Sequence, residues 1–342
     1  MSNANLALGR LDGIAEFVPN PDLFVTMYVR KEAVLSSRIE GTQASLSDVL
    51  EDESGLQSDT RPFDVGEVRN YVRALNAGLQ RLPDLPLSLR LIREIHAVLL
   101  TNARGHDRTP GEFRRSQNWI GPEGCTLDDA VFVPPPHAEL QHHLSDLERY
   151  IRSDDNTPIL VRAGVAHSQF ETIHPFLDGN GRLGRLLITF MLCERGVLSR
   201  PLLYLSDYFT RRKSQYYAEL MRVRETGEWE SWLRFFLRGV ADVADAAKAT
   251  AQRIVALQAQ DRDKVITKFP AKANLLRLLG TLYLRPTMTV QLAARLIDVS
   301  LPTANVLVSD LVSLGILHEI TGRQRDRVFR YRDYYAMLSS DT

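Results

Sequence analysis

Apolar residues recur at three- and four-residue intervals through most of the chain, the spacing of helices that bury one face. Residues 22–39 place Leu23, Met27 and Val34 with Leu35 near one face, and Gly41 supplies a stop. The same spacing predicts helices over 64–81 and 88–100, with Ser88 standing where an N-cap belongs. Between 105 and 136 the texture changes, because Gly and Pro punctuate the segment and only runs such as 131–133 look extended. This reads as a long loop with one small β-hairpin, and loops of that length are more often functional than idle. Helical spacing resumes over 137–152 and 158–173, breaks at 174–181, and returns from about Arg182 to Glu194. A pair of helices near 206–226 and one long Ala- and Gln-rich helix over 229–265 follow, and Lys268-Phe269-Pro270 marks a boundary.

The last segment has a different order: helix 271–284, Pro286, helix 289–297, a three-residue turn, helix 302–314 and Gly315. Two β-like runs, ILHEI and VFRYR, then flank the polar turn TGRQRDR. Helix-turn-helix plus hairpin is the winged-helix pattern. No internal repeat or low-complexity tract interrupts the chain.

Composition narrows the class. The 342 residues suit roughly two domains, and 44% apolar with 25% charged residues is ordinary for a soluble protein with a sizeable core. Lys+Arg and Asp+Glu both total 42, so no global field draws the molecule to nucleic acid or anionic lipid. Cys125 and Cys193 are too few for a disulfide scaffold and fit a reducing compartment. The first residues show neither the basic segment nor the apolar run expected of a signal peptide, and the apolar stretch from Leu186 to Cys193 is stopped by Glu194 and Arg195, short of a membrane span. A cytoplasmic protein without membrane contact is expected.

The densest chemical signal is His174-Pro175-Phe176-Leu177-Asp178-Gly179-Asn180-Gly181-Arg182-Leu183-Gly184-Arg185. A helix starting near Gly181 presents unpaired N–H groups to an anion, while Gly179 and Gly181 let the main chain approach a ligand. Arg182 and Arg185, three apart, project from one side of the first turn toward phosphate oxygens. Asp178 can hold a phosphate-bridging Mg²⁺, and the imidazole of His174 can take a proton from a hydroxyl. Each part alone usually has a structural role. Matching the nine fixed letters of H-P-F-x-D-G-N-G-R-x-x-R by accident is roughly a one-in-a-billion event in a chain this long, on equal residue frequencies.

That string is the signature of the Fic family, and the match is complete. The resemblance implies a mainly α fold: a helical core with a small β-hairpin flap, here followed by a winged helix. It implies transfer of AMP from ATP to a Ser, Thr or Tyr hydroxyl of a protein. By position, His174 resembles the general base and Asp178 the Mg²⁺ ligand. Gly179, Asn180, Gly181, Arg182 and Gly184 fall in the ATP-binding segment, and Arg185 is placed for the γ-phosphate. The phosphorylating Doc-type branch departs from the G-N-G-R core, and this chain does not. Ser36-Ser37-Arg38-Ile39-Glu40-Gly41 resembles the family's inhibitory S-x-x-x-E-G helix, whose glutamate pairs with the second motif arginine, here Arg185. The segment 120–133 sits where the family's flap aligns a target chain, with Val131 and Phe132 near the nucleotide, and Ser214-Gln215-Tyr216-Tyr217 resembles a segment whose first tyrosine, Tyr216, contacts the adenine side. The expected organisation is an N-terminal helical region over 1–100 with the inhibitory helix at about 31–40, a catalytic core over 101–228, a connecting helix over 229–268 and a winged helix over 269–342.

Two other constellations carry less. His167, Glu171 and His174 share a helix face, but the spacing is not that of a zinc helix and the cysteines are remote. For the winged helix, Arg323, Arg325, Arg327, Arg330 and Arg332 cluster on the wing, which suits DNA phosphates, whereas PTANVLVSDLVSLG has no Lys or Arg and carries Asp310. The expected partners are ATP, Mg²⁺ and a target protein, with the chain itself as one acceptor. A homodimer, DNA contact, nucleotide sensing without turnover, and removal of AMP at the same site remain as alternatives.

Overall fold

In the computed structural model the described residues are 1–17, 21–55, 62–102, 105–122 and 124–339, and they form fifteen helices and three short strands. Helices α1 (Ser2–Phe17), α2 (Pro21–Ile39), α3 (Leu46–Glu53), α4 (Pro62–Arg81) and α5 (Leu89–Leu99) precede the long loop. After it come α6 (His137–Arg152), α7 (Ile159–Ile173), α8 (Asn180–Glu194), α9 (Ser206–Arg211), α10 (Lys213–Thr226) and α11 (Trp229–Lys268). The remainder runs α12 (Ala273–Leu282), β1 (Thr287–Thr289), α13 (Val290–Ile297), α14 (Leu301–Ser313), β2 (Leu317–Glu319), β3 (Val328–Tyr331) and α15 (Arg332–Ser339).

Helix α8 sits at the centre because its sequence leaves it no polar side: Leu183, Leu186, Leu187, Ile188, Phe190, Met191 and Leu192 are all buried. Its neighbours approach through small residues. A Cβ on Gly78 of α4 would lie 2.4 Å from the Phe190 ring, and one on Gly184 of α8 itself would lie 3.2 Å from Phe170 of α7. The 40-residue α11, about 60 Å long by helical rise, forms the spine of the fold. Trp232 of α11 is fully buried and donates its indole N–H to Gly164 O at 2.9 Å. Helix α1 lies along α11 and buries Ala4, Ala7, Leu8 and Leu11, one helical stripe.

Most periodic segments form helices where the pattern places them. Ser88 caps α5 by accepting from Leu91 N–H, and Met27, Val34 and Leu35 of α2 are buried; the Leu23 side chain lies outside the described residues. Helices α1, α3 and α15 and strand β1 lie where that pattern singles out nothing. For α3 a signal was available, since Ser45 and Asp48 form a reciprocal capping box. Helix α8 begins at Asn180, two residues before the expected start, because Gly179 takes the left-handed conformation (φ +78°) and frees the chain to turn at once. No single helix among the described residues is long and apolar enough to cross a membrane.

In the C-terminal unit the sheet order is β1-β3-β2, antiparallel throughout, with Met288 opposite Phe329 and Leu317 opposite Tyr331. The unit is fastened at two places. Tyr331 donates to Asp261 of α11 at 2.5 Å. Arg330 reaches Ser47 and Glu51 of α3, both at 2.8 Å, and Ser54 donates to Thr287 O at 2.8 Å. Arg330 therefore faces inward and is removed from the expected wing cluster; Arg323, Arg325, Arg327 and Arg332 are exposed, the last of them beside Asp333. Asp310 of α14 is paired with Lys272 at 2.5 Å. Replacing Arg330 by Ala should lower the unfolding free energy by about 1–3 kcal/mol. Urea denaturation of Arg330→Ala, Glu51→Ala and the double variant should show a coupling above about 0.5 kcal/mol; strict additivity would mean the joint is not holding.

Candidate active site

Helix α7 ends at Ile173, and His174 follows in the left-handed region (φ 48°, ψ 61°), a conformation that costs a non-glycine residue about 1–3 kcal/mol. The surroundings hold it there. The His174 carbonyl accepts from Arg114 Nε and Asn118 Nδ2, both at 3.1 Å. Asn118 also donates to Phe176 O at 2.9 Å, Arg114 N–H to Pro175 O at 2.9 Å, and the buried Arg114 guanidinium to Pro135 O at 2.6 Å. The turn that aims the imidazole is thus stapled to the long loop from both sides. Its Nδ1 lies 3.4 Å from Glu171 O, which can only accept, so the proton belongs on Nδ1 and Nε2 is left with a lone pair. Burial above all, then the Arg224 charge, pushes the imidazole down to about 4, so it is neutral at pH 7 and able to receive a proton.

The next turn is pinned equally firmly. Asn180 uses its whole amide on the Phe176 backbone, accepting from N–H at 2.9 Å and donating to O at 2.8 Å. His96 receives Gly111 N–H on Nδ1 (2.8 Å), so Nε2 carries the proton and donates to Asp178 O at 2.9 Å. Its ring stacks on Phe176 with centroids 3.7 Å apart, and burial pushes it down to about 4, fixing the neutral form. Asp178 Oδ1 accepts from Gly179 N–H at 2.5 Å and lies 3.4 Å from Arg182. Oδ2 turns to the loop, where a Cβ on Gly105 would lie 2.4 Å away. The start of α8 leaves the N–H groups of Asn180, Gly181 and Arg182 without helical acceptors.

Both motif arginines are buried, and their partners differ. Arg185 donates from Nε to Ser36 Oγ (2.8 Å) and from Nη2 to Ser36 O (2.9 Å) and Glu40 Oε1 (2.7 Å). The Glu40 carboxylate lies directly on the first turn of α8, since a Cβ on Gly181 would come within 2.1 Å of Oε1. Burial works against its charge, but Arg185, Arg182 and His174 outweigh that and hold the carboxyl below its ordinary range. Arg182 lies 3.5 Å from Glu67, yet its buried Nε and Nη1 have no hydrogen-bond partner among the described residues. Buried donors left open beside a helix N-terminus suit an anion. Glu67 also accepts from Thr42 at 2.6 Å, so the segment after Glu40 is tied to the same arginine.

The structure therefore brings together His174, Asp178, Gly179, Gly181, Arg182, Arg185, Ser36 and Glu40. It corrects three expectations. The Asn180 side chain is committed to Phe176, leaving only its N–H for a ligand. Gly184 faces α7, where a Cβ would lie 2.5 Å from Glu171 Oε1, so it serves helix packing and not the cleft. Tyr216 is buried among Phe209 and Trp232 and donates to His167 Nε2 at 2.8 Å; Tyr217, 40% exposed, is the member that faces outward. His167 spends its other nitrogen on Gly184 O at 2.9 Å, and no metal-holding cluster of His, Cys, Asp or Glu exists among the described residues. In the flap, Ile120 and Phe132 form an isolated antiparallel bridge, Val131 is 60% exposed and Phe132 lies under Arg224. Sequence reasoning missed Arg114, Asn118, His96 and Arg224. Each acts on a backbone carbonyl or ring far along the chain, and no local spacing marks that.

Residues 1–80 match the family described as Fic/DOC family N-terminal and residues 86–192 match the Fic/DOC family, together more than half of the chain. A probable protein adenylyltransferase of Aquifex aeolicus is 34% identical over 176 residues, 52% of this chain and 51% of that protein. The protein adenylyltransferase Fic of Drosophila grimshawi is 28% identical over 176 residues, 51% of this chain and 32% of that protein. The chain thus spans about half the length of the first relative and about a third of the second. A crystal structure of a Fic family protein from Desulfovibrio desulfuricans shares the fold, with TM-score 0.60 at 20% identity over 96% of this chain and 95% of that one. A Fic-1 fragment from Caenorhabditis elegans gives 0.55 at 23% identity over 75% and 71%.

Because Asn180 satisfies both polar groups of Phe176, Asn180→Asp should set a carboxylate against a carbonyl and cost roughly 2–3 kcal/mol. A thermal melt within a degree of the parent would show that the amide does not pin the turn.

Proposed function

The chain belongs to the Fic/DOC family, and on that footing we propose that it is a protein adenylyltransferase that moves AMP from ATP to a hydroxyl of a protein. The observation that carries this reading is the convergence of two buried guanidinium groups, the open N–H groups of α8 and a neutral imidazole on one turn. The triphosphate lies along the first turn of α8, with Arg182 and the main-chain donors at its inner phosphates and Arg185 at the γ-phosphate. The hydroxyl oxygen attacks the α-phosphorus, His174 Nε2 takes the hydroxyl proton, and the α–β bridging bond breaks to release pyrophosphate. Positioning and preorganised charge supply most of the acceleration.

Asp178 fits a Mg²⁺ ion brought in by the phosphates: Oδ1 is already oriented by Gly179, and Oδ2 has room beside the Cβ-free Gly105. When bound, the ion would neutralise phosphate charge. What this chain contributes is a carboxylate held at a fixed angle by His96 through the Asp178 backbone.

The bond from Glu40 to Arg185 reads as a latch, because the carboxylate takes the guanidinium fork and the space over Gly181 that a phosphate would need. Its acidic carboxyl sets the pH sense: the latch is present above the ordinary carboxylate range and is lost as pH falls through the lowered value. The C-terminal winged helix reads as a module for protein contact, since Arg330 is turned inward and α14 carries no basic residue.

With labelled ATP, Glu40→Gly should incorporate at least tenfold more label into protein than the parent. A hundredfold rise would correspond to about 3 kcal/mol. His174→Ala in the same background should abolish the label. Unchanged labelling in Glu40→Gly would remove the latch, and His174-independent labelling would remove the enzymatic reading.

A further inference from the structure

Arg224 stands in the last turn of α10, and nothing in the twelve-residue motif points to it. Its guanidinium carbon lies 4.0 Å above the Phe132 ring, the shortest such cation–ring contact among the described residues. The same group donates from Nη2 to Glu171 O at 3.0 Å and from Nε to Thr172 Oγ1 at 3.2 Å. Thr172 is itself anchored, donating to Ser168 O at 2.8 Å. Glu171 and Thr172 form the final turn of α7, and the Glu171 carbonyl is the oxygen that faces His174 Nδ1 at 3.4 Å. One side chain thus grips the oxygen that orients the imidazole and the ring that ends the flap. On its far side Phe132 is tied to Ile120 by reciprocal main-chain bonds of 2.8 and 3.1 Å, with exposed Val131 and Val133 beside it.

We propose that Arg224 is a positioning residue that fixes the flap at a set distance from His174, so that a protein segment laid along the flap delivers its hydroxyl to Nε2. The proposal rests on the transfer reading above and deepens it. A water molecule needs no flap to reach the α-phosphorus, whereas a hydroxyl on a protein chain does. Loss of Arg224 therefore penalises the protein acceptor more than water. It also has an electrostatic mark. The charges that face His174 are Arg224 from α10, Glu40 just after α2 and Arg114 from the loop, while Glu171 of α7 meets it through its backbone carbonyl. Arg224 disfavours the imidazolium, so its removal moves the acid limb of the reaction to higher pH.

The test uses the full chain in the Glu40→Gly background, with ATP labelled at the α-phosphate and the chain itself as the protein acceptor. Label in protein and free AMP are measured together from about pH 3 to 8, a span that reaches below the His174 imidazole, and melting at each pH confirms folding. For Arg224→Ala, the ratio of protein label to free AMP should fall at least tenfold, and the acid limb should move up. Phe132→Leu should lower the ratio without moving the limb, and Arg224→Lys should restore much of both. Equal loss of label and AMP in Arg224→Ala and Phe132→Leu, with the acid limb unmoved, would overturn the proposal and leave Arg224 a packing residue. If Arg224→Ala fails to fold, the ratio in Phe132→Leu and the limb in Arg224→Lys decide it. An inactive Glu40→Gly parent would remove the transfer reading and this proposal with it.

Discussion

The arrangement depends on a guanidinium group placed where water barely reaches. Arg185 is 4% exposed, and a cation in that position must be answered by a partner with good geometry or it destabilises the fold. Three carboxyl groups surround it, and they do not answer equally. Burial raises Glu32 and Glu171 to about 7, so both spend much of their time neutral near physiological pH. Glu40 is one-third exposed and keeps its charge. The work of pairing with Arg185 thus falls on the carboxylate best able to leave, while the two that cannot leave carry little charge. A buried cation with a removable partner is what the proposed latch requires.

The second requirement is stiffness around His174. The residue has an unfavourable backbone conformation, and none of the groups that impose it belong to the motif. Arg114 and Asn118 come from the loop, His96 from α5 and Arg224 from α10. Most of the bonds they make end on a main-chain oxygen, which constrains the path of the chain and leaves the imidazole edge and the α8 amides free. The long Gly- and Pro-punctuated loop looks unstructured in sequence, yet it is the clamp that sets the His174 turn.

Much of this was legible in the sequence, for identifiable reasons. The motif from His174 to Arg185 is local, so its spacing translates directly into one helix start with two inward arginines. The pairing of Glu40 with Arg185 spans most of the core and was reached only through resemblance to a family. Where reading failed, direction was at fault. Tyr216 and Tyr217 are neighbours on a helix and point about 100° apart, so one step in sequence exchanges a buried ring for an exposed one. Arg330 was grouped with four other arginines by proximity, but alternate strand positions face opposite sides, and its side faces α3. The clamp residues were invisible because a bond to a distant carbonyl selects for a donor and for no pattern of neighbours.

Position 181 has a consequence for how such a protein could evolve. The missing side chain there makes room for a carboxylate from α2, and the same room is what a phosphate would occupy. Any larger residue would close the space to both occupants at once. On the proposed reading, a change at this position cannot separate restraint from turnover, whereas a change at Glu40 or Ser36 can.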